Sequence, residues 1–132
     1  MELLGLPAVV SLKRAEQLIE IYMGSLVKTI SFEPKLARIS VLMKDSTRFF
    51  VRYNDHDEYS YSVIFSSKEL DRVRLDNHDD RWNVATRPHH FHPRMSLEGF
   101  SSPMIGKPDA DIPLVSELIN SKAFWRNDFR FS

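Results

Sequence analysis

All five histidines of the chain lie between residues 56 and 92, and three of them belong to the segment Pro88-His89-His90-Phe91-His92-Pro93. A residue that precedes proline is pushed toward an extended backbone, so the segment is predicted to be extended at His92. Side chains alternate between the two sides of an extended segment, which points His90 and His92 one way and His89 the other. Two imidazoles on one side can ligate a metal ion, or they can act as general base and general acid.

RNA cleavage without a metal ion is one chemistry that this segment can support. It needs a base that takes the 2′-OH proton, a cation that stabilises the phosphorane, and an acid that protonates the leaving oxygen. Histidine suits both proton steps because its unperturbed pKa is ~6.5, and arginine suits the charge step. The residues predicted to be catalytic supply proton transfer, charge stabilisation and orientation of an imidazole; they are His89, His90, His92, Arg74, Arg87 and Asp76.

Two other interpretations of the same segment stay open. A bare histidine cluster is a weak signal, and it also fits a surface loop held by Phe91 and the flanking prolines. In that case the protein is a non-catalytic interaction module. The second alternative is a metal-binding protein, whose ligands are His78, His90, His92 and Asp76. The ribonuclease interpretation predicts no cofactor.

Composition excludes several classes of protein. The 132 residues fit one domain over residues 1–132, and a hydrophobic content of 42% is too high for a disordered chain. The chain has no cysteine, which excludes disulfide scaffolds, cysteine nucleophiles and cysteine zinc sites. No apolar run approaches the ~20 residues of a transmembrane helix, so we expect a cytoplasmic protein without a membrane partner. Eighteen basic residues balance eighteen acidic ones, which excludes a bulk polycation but not a local basic patch.

Hydrophobic periodicity predicts an α+β fold. Helical spacing of apolar residues from about Pro7 to Leu26 predicts an N-terminal amphipathic helix, with Ser11 as a candidate N-cap. From about Val27 to Asn77 the period changes to two, which predicts an antiparallel β-meander of four to five strands packed under that helix. The proline-rich segment from His78 onward is predicted to be irregular. A short C-terminal helix follows, with Asp111 as its N-cap.

Alternation along the meander assigns its side chains to two faces. The face predicted to be the core comprises Ile39, Val41, Met43, Phe49, Val51, Tyr53, Tyr59, Tyr61, Val63, Phe65, Val73 and Leu75. The other face is rich in serine and arginine, and arginine binds phosphate and carboxylate through its planar fork. The residues predicted to bind RNA or an acidic partner are Arg38, Arg48, Arg52, Arg72 and Arg81. A solvated face with cross-strand ion pairs explains the same pattern.

Apolar residues outside the predicted core indicate a homodimer. Three of them, Leu42, Phe50 and Ile64, lie on the otherwise polar face of the meander. The C-terminal residues from Phe124 to Phe131 are also too aromatic for a solvated end, and we expect them to pack on the domain or on a second copy.

Three elements of the chain together resemble a known family. They are Tyr59-Ser60-Tyr61, Arg74-Leu75-Asp76-Asn77 and the segment from Thr86 to His92. Within residues 35–92 they are similar to the Tyr-x-Tyr strand, the Arg-x-Asp-Asn strand end and the Pro-His-His-x-His segment of the TumE-type family of toxin–antitoxin systems. One departure is His78-Asp79-Asp80-Arg81, which stands where many members carry Ala-Pro-His-His. The resemblance implies a small α+β toxin that partners a helix-turn-helix antitoxin, and ribonuclease action follows only by analogy with toxins of this size.

Overall fold

The computed structural model describes residues 6–131 as an antiparallel sheet with two helices. Helix α1 comes first and helix α2 follows the last strand. The helices span α1 (Leu6–Met23) and α2 (Pro108–Asn120). The strands are β1 (Val27–Glu33), β2 (Arg38–Met43), β3 (Arg48–Tyr53), β4 (Tyr59–Ile64), β5 (Arg72–Asp76), β6 (His90–His92) and β7 (Phe100–Ser101). The predicted α+β class is confirmed. The predicted number of four to five strands is wrong, because the sheet has seven, in chain order.

The two extra strands come from the segment that was predicted to be irregular. Strand β6 pairs with β5, and β7 pairs with β6, so the sheet continues past the proline-rich region. Phe91 in β6 lies opposite Leu75 and is 1% exposed, which gives this short strand a place in the core. Strands of three and two residues are too short for alternation to reveal them.

Both helices cover one face of the sheet. Helix α1 packs on β1, β2 and β3, and α2 packs against α1. The face that alternation assigned to the core is buried, except that Phe65 follows the end of β4 and is half-buried beside Trp125. The opposite face, called the outer face below, carries exposed Arg48, Arg52 and Arg72. None of the helices within residues 6–131 is long and apolar enough to cross a membrane.

Both predicted N-caps are wrong. Helix α1 begins at Leu6, which places Ser11 inside the helix, and α2 begins at Pro108, which places Asp111 at its fourth residue. Proline is compatible with the first turn of a helix, because its missing N–H has no helical partner there. Pro7 and Pro108 therefore belong to the first turns of α1 and α2.

Asp111 ties the loop before α2 to the sheet. Its carboxylate is 2% exposed and accepts hydrogen bonds from the Tyr61 hydroxyl at 2.7 Å and from the backbone N–H of Gly106 at 2.7 Å. The backbone N–H of Ile105 donates a further bond at 3.1 Å. Burial raises the pKa of Asp111, and these hydrogen bonds oppose that rise. Gly106 has φ of +85°, and a Cβ there would lie 2.8 Å from the Tyr59 ring, so this loop requires glycine.

The aromatic C-terminal residues pack on the chain's own core. Phe124 is fully buried, and the rings of Phe124, Phe129 and Phe131 lie around Phe91 with centroid distances of 5.0–6.0 Å. The segment packs on the domain itself, which is one of the two sites predicted for it. The aromatic rings also fasten β6 to the core from its inner side.

Replacement of Asp111 by alanine should destabilise the fold strongly. The Asp111→Ala variant leaves a buried tyrosine hydroxyl and two backbone N–H groups without acceptors, which costs about 2–4 kcal/mol. Asp109→Ala is the matched control, because Asp109 lies in the same helical turn but is 65% exposed beside Arg14. Urea unfolding measures both variants. Equal effects of the two substitutions would contradict the role assigned to Asp111.

Candidate functional site

The register of β5 and β6 assembles a cluster on the outer face. Arg74 pairs with His92 across the two strands, and Asp76 pairs with His90. Side chains two residues apart in a strand share a face, so all four lie on the outer face while Leu75 between them enters the core.

Asp76 and His90 form a buried pair whose side chains are each 3% exposed. Asp76 Oδ1 lies 2.9 Å from His90 Nε2, and the other ring nitrogen of His90 lies 2.9 Å from the Pro88 carbonyl. Both ring nitrogens of His90 therefore face oxygen atoms that can accept a hydrogen bond. Asp76 also faces Arg74, whose Nε lies 2.5 Å from Oδ2, and accepts the backbone N–H of His78 at 3.0 Å. One carboxylate thus positions an imidazole and a guanidinium.

His92 is held in one tautomer. Its Nδ1 lies 3.1 Å from the Glu98 carbonyl oxygen, which can only accept, so Nδ1 carries the proton and Nε2 keeps the lone pair. Burial lowers the pKa of His92 below its usual range, the Glu98 carbonyl opposes this shift, and the nearby His90 adds to it. His92 is therefore neutral near pH 7 and can accept a proton at Nε2.

Trp82 packs against both imidazoles. Its ring centroid lies 5.2 Å from that of His92 and 6.1 Å from that of His90. A Cβ on Gly99 would lie 2.7 Å from the indole, so only glycine allows this approach without a shift of the ring. Glu98 and Gly99 are adjacent, and together they orient His92 and make room for Trp82.

These side chains line a cavity of about 290 Å³ on the outer face. Arg72, Arg74 and Arg81 form part of its wall, and His78 lies in the same cavity. Asp76 already contacts the guanidinium of Arg74 and the ring of His90, and Asp79 pairs with Arg81 at 3.2 Å. The cavity is consequently suited to an anion such as a phosphate.

The structure brings together four of the six residues predicted to be catalytic: Arg74, Asp76, His90 and His92. His89 lies apart from the cavity, as alternation predicts, and its Nδ1 is 2.8 Å from the Tyr59 hydroxyl. Arg87 pairs with Asp80 at 3.0 Å in an exposed position and does not line the cavity. The sequence analysis missed Trp82 and Gly99. The signal that could have revealed Trp82 is that it is a single large aromatic residue in an otherwise polar segment.

The arginines predicted to bind RNA or a partner lie on the outer face or in the cavity wall. Arg38 is bonded to Glu33 at 2.5 Å. Arg72 and Arg81 line the cavity, while Arg48 and Arg52 lie two strands away on β3. Within residues 6–131, no carboxylate forms an ion pair with Arg48, Arg52 or Arg72. A solvated face predicts cross-strand ion pairs, and among the described residues these three arginines do not form them.

Asp76, His90 and His92 could also hold a metal ion, since their ligand atoms lie within 4.8 Å of one another. Two imidazoles and a carboxylate suit zinc, manganese or iron. His78, the fourth predicted ligand, lines the cavity but is outside this group. A cation held between Asp76 Oδ1 and His90 Nε2 would lie close to the guanidinium of Arg74, whose Nε is 2.5 Å from Asp76 Oδ2.

The titration of His92 should differ from that of a solvated histidine. We expect its pKa below ~6.5 because charging the ring in this buried position is costly. The unfolded chain then takes up the proton first as pH falls, so this contribution to stability is present above pH ~6.5 and is lost as pH falls through the folded pKa. NMR titration of the imidazole signals in wild type and His92→Gln measures the shift. A His92 pKa at or above ~6.5 would contradict it.

Comparison with known proteins agrees with the resemblance of residues 35–92. The family model for toxin TumE matches residues 15–121, which begin within α1, end just after α2 and include every side chain of the cavity. No curated protein and no solved structure matches the chain. Because the family match covers most of the chain, the protein belongs to the toxin TumE family.

Proposed function

We propose that this TumE-family protein is the toxin component of a toxin–antitoxin module and acts as a metal-independent ribonuclease. The observation that carries the proposal is the position of His92, whose Nδ1 faces the Glu98 carbonyl so that Nε2 keeps its lone pair, in a cavity that three arginines line. A phosphodiester is the substrate for which a base and several guanidinium groups are needed together.

In this mechanism His92 Nε2 takes the proton of the ribose 2′-OH. The 2′-oxygen then attacks the adjacent phosphorus, and the bond from phosphorus to the 5′-oxygen breaks. Arg74, held by Asp76, and the neighbouring Arg72 stabilise the charge that develops on the phosphorane oxygens. The products are a 2′,3′-cyclic phosphate and a 5′-hydroxyl.

The leaving 5′-oxygen needs a proton, and the cavity offers two further imidazoles. The ring nitrogens of His90 lie 2.9 Å from the Pro88 carbonyl oxygen and 2.9 Å from Asp76 Oδ1, so His90 acts as a positioning residue. The ring of His78 makes no hydrogen bond to any of residues 6–131, and it lines the same cavity. We therefore assign the acid step to His78.

An antitoxin is the partner that membership of a toxin family suggests. We propose that it is a helix-turn-helix protein, that the toxin acts on RNA in the cytoplasm, and that the toxin itself is a homodimer. A non-catalytic interaction module would use the antitoxin contact alone and would leave the cavity without a role.

Replacement of His92 should abolish RNA cleavage. A general base contributes about 10²- to 10⁴-fold to the rate, so His92→Gln should lose at least about 100-fold in single-turnover cleavage of RNA in EDTA. His56→Gln is the matched control, because His56 lies in an exposed turn of the same sheet. Equal cleavage by both variants would exclude His92 as the base. Activity that disappears in EDTA and returns with zinc or manganese would instead favour the metal site of Asp76, His90 and His92.

The acid step can be tested through the leaving group. His78→Gln should slow cleavage of RNA but cleave a nucleoside 3′-(4-nitrophenyl phosphate) at nearly the wild-type rate, because 4-nitrophenolate leaves without a proton. His92→Gln should be slow on both substrates, since the 2′-OH must still lose its proton. If His78→Gln is equally impaired on both substrates, the assignment to His78 is wrong.

A further inference from the structure

The outer face carries a row of side chains that leads to the cavity. In the sheet register, Phe50 on β3 lies opposite Ser62, Ser62 lies opposite Arg74, and Arg74 lies opposite His92. Neighbouring strands are about 4.8 Å apart, which places Phe50 roughly 10 Å from Arg74 across the sheet. Neither helix covers this row, because both pack on the opposite face.

Three exposed arginines accompany the row. Arg48 and Arg52 lie two residues before and two residues after Phe50 in β3, so they share its face. Arg72 lies two residues before Arg74 in β5 and therefore shares the face of Arg74. All three flanking side chains are exposed and have no carboxylate partner within residues 6–131. A line of unpaired positive charge complements a polyanion whose phosphates are spaced along a chain.

Phe50 is the aromatic member of this row. It is half-buried, and the guanidinium of Arg38 lies 5.1 Å from its ring centroid. The other apolar side chains of the face, Leu42 and Ile64, are aliphatic. Aromatic rings and guanidinium planes are the groups on which unpaired nucleobases stack.

From this arrangement we infer that single-stranded RNA crosses the outer face from β3 to β6, with a base stacked on Phe50 and phosphates on Arg48, Arg52 and Arg72. The inference rests on the proposed function and specifies its substrate as unpaired RNA. A duplex would keep its bases stacked on each other and would leave Phe50 unused. An acidic protein segment would bind the arginines, but it has no nucleobase that could stack on the ring of Phe50.

Binding of an uncleavable 2′-O-methyl oligoribonucleotide to the full-length protein tests the inference by fluorescence anisotropy. Phe50→Leu keeps an apolar side chain but removes the ring, and it should weaken single-strand binding at least about fivefold. Ile21→Ala is the control, because Ile21 is an exposed apolar side chain on α1, which packs on the opposite face of the sheet, and it should bind nearly as wild type does. Arg52→Gln should reduce the slope of log affinity against log salt by about 0.7, as loss of one phosphate contact requires.

Three results would overturn the inference: unchanged affinity of Phe50→Leu, equal or tighter binding of the matched duplex, or displacement of the RNA by poly-glutamate as effectively as by unlabelled RNA. Each of these leaves the cleavage assay with His92→Gln unaffected. Conversely, a Phe50-dependent affinity in a protein that cleaves no RNA would support the binding surface and overturn the proposed ribonuclease.

Discussion

A buried carboxylate, Asp76, is the interaction on which the site depends. An ionised carboxyl group that is almost fully buried is costly unless it is paired and hydrogen-bonded. Asp76 meets that requirement with the ring of His90, the guanidinium of Arg74 and the backbone N–H of His78. These partners come from β5, from the segment that follows it and from β6. The charge that the fold must compensate therefore fixes the geometry of an imidazole and a guanidinium next to the cavity.

The two sides of strand β6 have separate roles. On the inner side, Phe91 is enclosed by the aromatic rings of the C-terminal segment and fastens the strand to the core. On the outer side, His90 and His92 face the cavity. A shift of one residue in the register would exchange the two faces and expose Phe91, so the burial of one aromatic ring specifies the direction of both imidazoles. Stability and chemistry are coupled here through a strand of three residues.

The sequence pattern predicted the inner face of β2–β5 almost completely, and it predicted that His89 points away from His90 and His92. Period-two alternation is a local property, so a single sequence reveals it. The remaining features depend on distant pairings. The pairing of Asp76 with His90, the approach of Trp82 to Gly99, and the bonds from the loop before α2 to Asp111 join residues that are not neighbours in sequence. Helical and strand periodicity carry no information about such contacts, which is why Trp82 and Gly99 were not among the predicted site residues.

The balance of charges around the cavity favours an anionic ligand over a metal ion. The whole chain is formally neutral, but exposed charges are screened beyond about 8–10 Å, so only the nearby groups decide what the cavity binds. Asp76 is the buried carboxylate; Arg74 pairs with one of its oxygens, and the ring of His90 lies against the other. A divalent cation at Asp76 would lie beside the guanidinium groups of Arg74, Arg72 and Arg81. A phosphate meets the same guanidinium groups as partners and leaves the Asp76 network intact, and His92 keeps the lone pair that proton transfer requires.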